Sequence, residues 1–230
     1  MFRKTRKLIL IAGLLLLIVT LSGVPYLSAA EKKHRVMIDP AHGGPDAGIK
    51  ITDKVGEKDI TLAIALAVQK ELAKDSNLEV VLTRNADKEM NVEERRKNIA
   101  KIKPDAFISI HINAGFGKNA TGFEIYYPGF KDTSDQKKQV KDGQKDAKNK
   151  YLNDSVRLAQ IIQKNLDNLF PRKGRGLREA ETPVLEGINL PAVVVEIGFG
   201  TNPEERKKLL SVTGQAEIAK TLARSIKSFY

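Results

Sequence analysis

Short β-branched and aromatic runs alternate along this chain with longer stretches whose apolar residues recur at helical spacing, and that alternation leaves few folds open. AFISI (106–110) and AVVVE (192–196) are continuous and apolar, as strands buried on both faces must be. DITLAIALAVQKELAK (59–74) instead repeats its apolar residues every three or four positions, the period of a helix with one buried face. Read in this way, the sequence predicts strands over 35–39, 78–83, 106–110, 122–127 and 192–196, and helices over 59–74, 91–101, 152–169 and 216–229. Strands separated by helices imply a single α/β domain: a mixed, mostly parallel twisted sheet covered by helices on both faces. Residues 130–150, FKDTSDQKKQVKDGQKDAKNK, are polar throughout. They read as a long exposed loop, either a plain connection or a segment that moves over a site or meets a partner.

The first thirty residues stand apart from this pattern. MFRKTRK carries four basic residues, an apolar run follows from Leu8 to Leu21, and small residues at 28–30 offer a cleavage site. Residues 1–30 are therefore expected to be a signal peptide or, if uncleaved, a membrane anchor, with the folded domain over 31–230. Export is the expected fate, and membrane contact is expected only through an uncleaved segment. The chain has no cysteine, which excludes disulfides, thiolate catalysis and cysteine metal sites. Without the four leading basic residues, 35 Lys and Arg face 28 Asp and Glu, a net charge of +7. That charge suits an anionic cell-wall polymer or a well-solvated surface. Nucleic acid is not expected as a partner, since the chain has no tryptophan and no interleaving of aromatic with basic residues.

Histidine is scarce, with only His34, His42 and His111, and two of the three follow predicted strands. In an open α/β sheet the carboxyl ends of parallel strands gather along one edge, where ligands bind, so His42 and His111 are placed to converge. Glu196 ends the apolar strand AVVVE, where an ionised side chain should face a cleft, a cation or a proton to be moved. Glu57 stands just before the first predicted helix, where it could simply complement the helix dipole. Two imidazoles and one carboxylate suffice to hold a catalytic zinc with a fourth position left for water, and a second glutamate can then act as general base and acid. Asp46 and Asn113, close to the two histidines, could orient imidazoles, hold substrate or form turns. Gly43 and Gly44 allow a sharp turn. Glu93, Glu94, Arg95 and Arg96 read as a solvated helix face, although one arginine could support the sheet. Glu124 reads as structural before peptide-binding, and residues 175–177 as a segment that could line a groove.

Six ordered motifs, IDPAHGGPDAG, GEKDITLAIALA, TRNADKEMNVEERRKNIA, SIHINA, GFEIYY and PAVVVEIGFGTNPEE, resemble those of the zinc-dependent N-acetylmuramoyl-L-alanine amidases of the amidase-3 type. The likeness runs from about residue 34 to the C-terminus. It implies that His42, Glu57 and His111 bind one Zn2+ ion and that Glu196 is the catalytic glutamate. Two departures are small: Ala41 replaces a usual glycine, and Gly200 and Thr201 stand where leucine and serine are common. The implied substrate is peptidoglycan, cut at the amide between N-acetylmuramic acid and L-alanine, in wall or spore-cortex remodelling. A partner protein could target or activate such a domain. Other readings are a zinc peptidase acting within the stem peptide, a wall-binding protein with a vestigial zinc site, and an anchored interaction protein.

Overall fold

A computed structural model describes residues 32–129, 142–171 and 173–230, with side chains left undescribed at 142–148. The expected signal segment and residues 130–141 of the expected loop lie outside the described residues. In chain order the elements are β1 (His34–Pro40), α1 (Glu57–Leu72), β2 (Leu78–Leu82), α2 (Val92–Ile102), β3 (Ala106–Asn113), β4 (Phe123–Tyr127), α3 (Asp142–Leu169), β5 (Gly174–Glu179), a 3-10 turn (Pro183–Leu185), β6 (Ala192–Phe199), α4 (Pro203–Leu210) and α5 (Val212–Phe229). One six-stranded sheet runs in the order β2-β1-β3-β6-β4-β5. Every pairing is parallel except that of β4 with β6. The structure therefore shows the mixed, mostly parallel α/β fold with helices on both faces.

The two faces are covered unequally. Alternation along each strand sends Val36, Ile38, Ile108, Ile110, Val193 and Val195 to the larger core, against Ile64 and Val68 of α1, Leu158 and Ile162 of α3, and Ile218 and Leu222 of α5. The intervening residues Met37, Phe107 and Val194 pack on the opposite face against Ile99 of α2 and Val184 and Leu185 of the 3-10 turn. That smaller core stops short of the carboxyl ends of β3 and β6. His111 and Glu196, on the same face one step further along, are only partly covered.

Helix α2 begins where Asn91 supplies a cap: its side chain accepts from the Glu94 amide at 2.9 Å, and Glu94 accepts the Asn91 amide at 2.9 Å. Three elements were not foreseen, the short 3-10 turn among them. β5 (GRGLRE) has no run of apolar residues because it is the sheet's edge. Helix α4 has only eight residues, although Asn202 caps it and Pro203 occupies its first turn. Residues 142–150 belong to α3, not to the exposed loop read from the sequence. Residues 142–150 hold one apolar residue, Ala147, so this part of the helix left no periodic signal in the sequence.

Candidate active site

Four elements deliver the histidine and glutamate side chains: the end of β1 leads to His42, α1 carries Glu57, β3 carries His111 and β6 carries Glu196. The chain leaves β1 with Ala41 still donating to the Ile110 carbonyl at 3.1 Å, then turns at His42, whose φ of 61° lies in the left-handed region. A non-glycine residue there is uncommon and costs on the order of 1 kcal/mol, so neighbours must hold it. Two buried arginines do so through consecutive carbonyls. Pro40 O accepts from Arg84 Nε and Arg95 Nη1, both at 3.0 Å; Ala41 O accepts from Arg84 Nη2 at 2.8 Å; His42 O accepts from Arg95 Nη2 at 2.7 Å. Arg95 is also paired with the buried Asp39, which accepts from Thr83 at 2.5 Å and from Ser109 at 2.9 Å. Arg95 is thus 5% exposed and supports the sheet, so the reading of 93–96 as a solvated face fails at this position.

Glu57 is the first residue of α1, where the positive end of the helix dipole favours a carboxylate. It is 2% exposed, and its two oxygens accept from the Ile112 amide at 3.0 Å and the Ile49 amide at 3.1 Å. The same oxygens lie 3.1 Å from His111 Nδ1 and 3.1 Å from His42 Nε2. One ligand atom from each of His42, Glu57 and His111 falls within 4.8 Å of the others. On the far side of its ring, His42 Nδ1 lies 2.8 Å from Asp46 Oδ2, and Asp46 also accepts the Gly48 amide at 3.1 Å. Gly48 is required here: its φ is +64°, and a Cβ would sit 2.5 Å from Glu57 Oε2.

Charges in this cluster are strongly coupled. The hydrogen bond to Glu57 is the main cause that raises His42 from 6.5 to about 9, against the opposing effect of burial. Burial alone would raise Glu57, but hydrogen bonds from His111 and His42 outweigh it and hold the carboxyl well below its usual range. A buried carboxylate between two imidazoles, all aimed at one point, is a cation-binding arrangement, and two nitrogens with one oxygen match the donor set of catalytic zinc. The Asp46 contact is the carboxylate partner that metal-bound imidazoles commonly have.

Glu196 enters from β6. Its Cα is in register with His111 of β3 on one side and with Glu124 of β4 on the other, so the three side chains form a row across one face. Burial raises Glu196 from 4.5 to about 7; His111 opposes the rise, and Glu57 and Glu124 add to it. Asn113 does not touch an imidazole. Its side-chain amide donates to Glu124 at 3.2 Å, and Glu124 also accepts from the Tyr126 hydroxyl at 2.5 Å and pairs with Arg175 at 2.9 Å. Glu205, overlooked in the sequence, ties the start of β4 to the end of β6: it accepts the Gly122 amide at 2.7 Å and the Phe199 amide at 2.8 Å. Gly200, where leucine is common, leaves room for Ile51, whose Cδ1 would be 2.4 Å from a Cβ there.

An α/β sheet that presents such a cluster at the carboxyl ends of its strands belongs to the large class of proteins that carry their chemistry at that edge. Within this class the sequence matches the family of N-acetylmuramoyl-L-alanine amidases (Amidase_3) over residues 36–228, and the chain belongs to that family. It is 26% identical over 218 residues to the N-acetylmuramoyl-L-alanine amidase AmiC of Escherichia coli, a match covering 85% of this chain and 52% of that protein. The chain thus spans about half the length of that relative. Among solved structures, the N-acetylmuramoyl-L-alanine amidase from Clostridium difficile 630 has a TM-score of 0.71 at 30% identity, over 86% of this chain and 97% of that one. The CwlD amidase from Clostridioides difficile, solved in complex with the GerS lipoprotein, has a TM-score of 0.69 at 27% identity, over 86% and 98% of the two chains.

Proposed function

We propose that this protein is a zinc-dependent peptidoglycan hydrolase that cleaves the amide between N-acetylmuramic acid and L-alanine of the stem peptide. The observation that carries the reading is the convergence of His42, Glu57 and His111 ligand atoms within 4.8 Å, with Glu196 in register beside His111 on the same face. His42, Glu57 and His111 would hold the ion. When bound, zinc supplies an acidified water and a Lewis acid for the amide carbonyl.

The chain's own residues supply the rest. Asp46 and the Ile49 and Ile112 amides fix the orientation of His42 and Glu57 before any ligand arrives, so little ordering remains at binding. Glu196 is the general base and acid. Held near 7, its carboxylate is basic enough to take a proton from the attacking water, and its acid form is acidic enough to pass that proton to the departing L-alanine nitrogen. His111 and Glu196 keep part of their surface exposed at the sheet edge, which leaves an approach for a polymer.

Export, attraction to anionic wall polymers through the positive net charge, and a protein partner that docks on or activates the domain belong to the same reading. The complex of the CwlD neighbour with a lipoprotein supports the last of these. Among the described residues no helix is long and apolar enough to cross a membrane.

The test is digestion of purified peptidoglycan by the wild type and Glu196→Gln, with and without zinc, and identification of fragments by mass spectrometry. Release of stem peptides beginning with L-alanine, dependent on zinc and on Glu196, is the expected result. Fragments cut inside the stem peptide would instead assign a peptidase.

A further inference from the structure

Strand β5 departs from regular pairing at one place, and the departure has a chemical effect. Phe123 is in register with Gly174, but Ile125 is in register with Leu177, so β5 carries one extra residue opposite Glu124. Gly176, with φ +92°, lies in this bulge. Residues three apart on a regular strand point to opposite faces. Here the extra residue brings both Arg175 and Arg178 to the same carboxylate: Arg175 Nε lies 2.9 Å and Arg178 Nη2 3.6 Å from Glu124 Oε1. Bulges commonly re-aim side chains beside active sites in this way.

Two guanidiniums on one carboxylate leave a surplus positive charge. The Glu124 side chain is 10% exposed, whereas those of Arg175 and Arg178 are 42% and 53% exposed. Among the described residues neither arginine pairs with a second carboxylate. Glu124 therefore gathers two guanidiniums as ion pairs while both arginine side chains stay substantially exposed, a placement that leaves donors for a second carboxylate.

The position relative to Glu196 selects the ligand. β4 lies between β6 and β5, so two strand spacings, about 10 Å, separate the Glu196 and Arg175 backbones. The guanidinium covers part of that distance by reaching back to Glu124. A residue of extended peptide advances about 3.5 Å, so the residue after L-alanine places its substituents about 7 Å from the amide attacked at Glu196. In stem peptides that residue is acidic, with an α-carboxyl that is either free or amidated.

We propose that Arg175 and Arg178 form a carboxylate-binding subsite for the second residue of the stem peptide and make the enzyme prefer a free acid over an amide there. This rests on the amidase reading above.

The experiment compares kcat/KM of the zinc-loaded full chain on two synthetic fragments in which L-lysine amide caps the γ-carboxyl of the second residue, N-acetylmuramoyl-L-alanyl-D-isoglutamyl-L-lysine amide with its α-carboxyl free and the counterpart with that α-carboxyl amidated. The wild type is expected to favour the acid at least about tenfold, the worth of one charge-assisted hydrogen bond. In the Arg175→Gln, Arg178→Gln double variant that ratio falls toward one, with the loss in KM for the acid. Arg175→Lys, which keeps the charge and loses the fork, retains part of it. Arginines that only neutralise Glu124 would change both substrates alike and leave the ratio unmoved. Equal cleavage of the two fragments by the wild type, or a preference that survives the double substitution, overturns the subsite and leaves the amidase reading standing. Cleavage of neither fragment by a wild type that releases stem peptides from peptidoglycan overturns the subsite, and failure on peptidoglycan as well overturns the amidase reading with it.

Discussion

Arg95 donates a 2.7 Å hydrogen bond from Nη2 to the carbonyl of His42, so a buried guanidinium from helix α2 holds the backbone of a candidate ligand that sits in a left-handed conformation. The same guanidinium neutralises Asp39 in the strand just before it. Arg95→Met removes both links and leaves Asp39 buried without its cation. We expect a loss of about 3–5 kcal/mol in unfolding free energy, measured by urea denaturation. Where the variant remains folded, zinc affinity should fall by at least about tenfold, read by metal titration. Unchanged affinity would show that the His42 turn holds its shape without this brace.

Proton release should accompany metal uptake. In the metal-free chain His42 is raised from 6.5 to about 9, chiefly by its hydrogen bond with Glu57. Its stabilisation of the metal-free fold is therefore complete below pH 6.5 and is lost as pH rises through 9. A cation bound at the same point must displace that proton, so zinc affinity should rise with pH across this window. Titration calorimetry at about pH 7.5 in buffers of different ionisation enthalpy should report about one proton released per ion.

Glu196→Gln should separate stability from catalysis. A carboxyl raised from 4.5 to about 7 binds its proton more tightly in the folded chain, so the fold loses stability as pH rises from 4.5 to 7 and stays less stable above it. At about 1.4 kcal/mol per pH unit the loss is about 3 kcal/mol. The metal-free glutamine variant should melt higher than the wild type at pH 8 and alike at pH 4, while hydrolysis falls by roughly two to four orders of magnitude. A variant less stable at pH 8 would refute the burial argument.

Gly48→Ala should damage the cluster from within. The new Cβ would lie 2.5 Å from Glu57 Oε2 and 2.6 Å from His42 Cδ2, on a backbone at φ +64°. Conformation alone costs about 1–2 kcal/mol, and the displaced oxygens should weaken zinc binding by at least about tenfold. Thermal melting and metal titration test the two effects separately.

Much of the sheet was readable because β1, β3 and β6 are apolar on both faces and bounded by polar turns. His42, His111 and Glu196 stood out as ionisable groups at the ends of such strands. The supporting groups were hidden by their surroundings in sequence. Arg95 lies in VEERRKNIAK, where charge on every side masks the one residue that points inward. Asp39 ends a buried strand much as Glu196 does, and that signal was available. So was the Asn202 and Pro203 start of α4. β5 carried no signal, because an edge strand with five polar or glycine residues in six gives no alternation to read.

Strand β4 runs opposite to β6, so it starts at the edge of the sheet where β3 ends. Asn113 and Glu124, eleven positions apart, consequently meet at 3.2 Å, and the connection between them starts and ends at this edge of the sheet. That connection is anchored at Gly115 by Thr201 and at Lys118 by Asn202, and between these points Phe116 stands free in solvent. The stretch at residues 116–117, between these two anchors, is thus an interchangeable part, where insertion or deletion can reshape access to the cleft while the strands beneath keep their register.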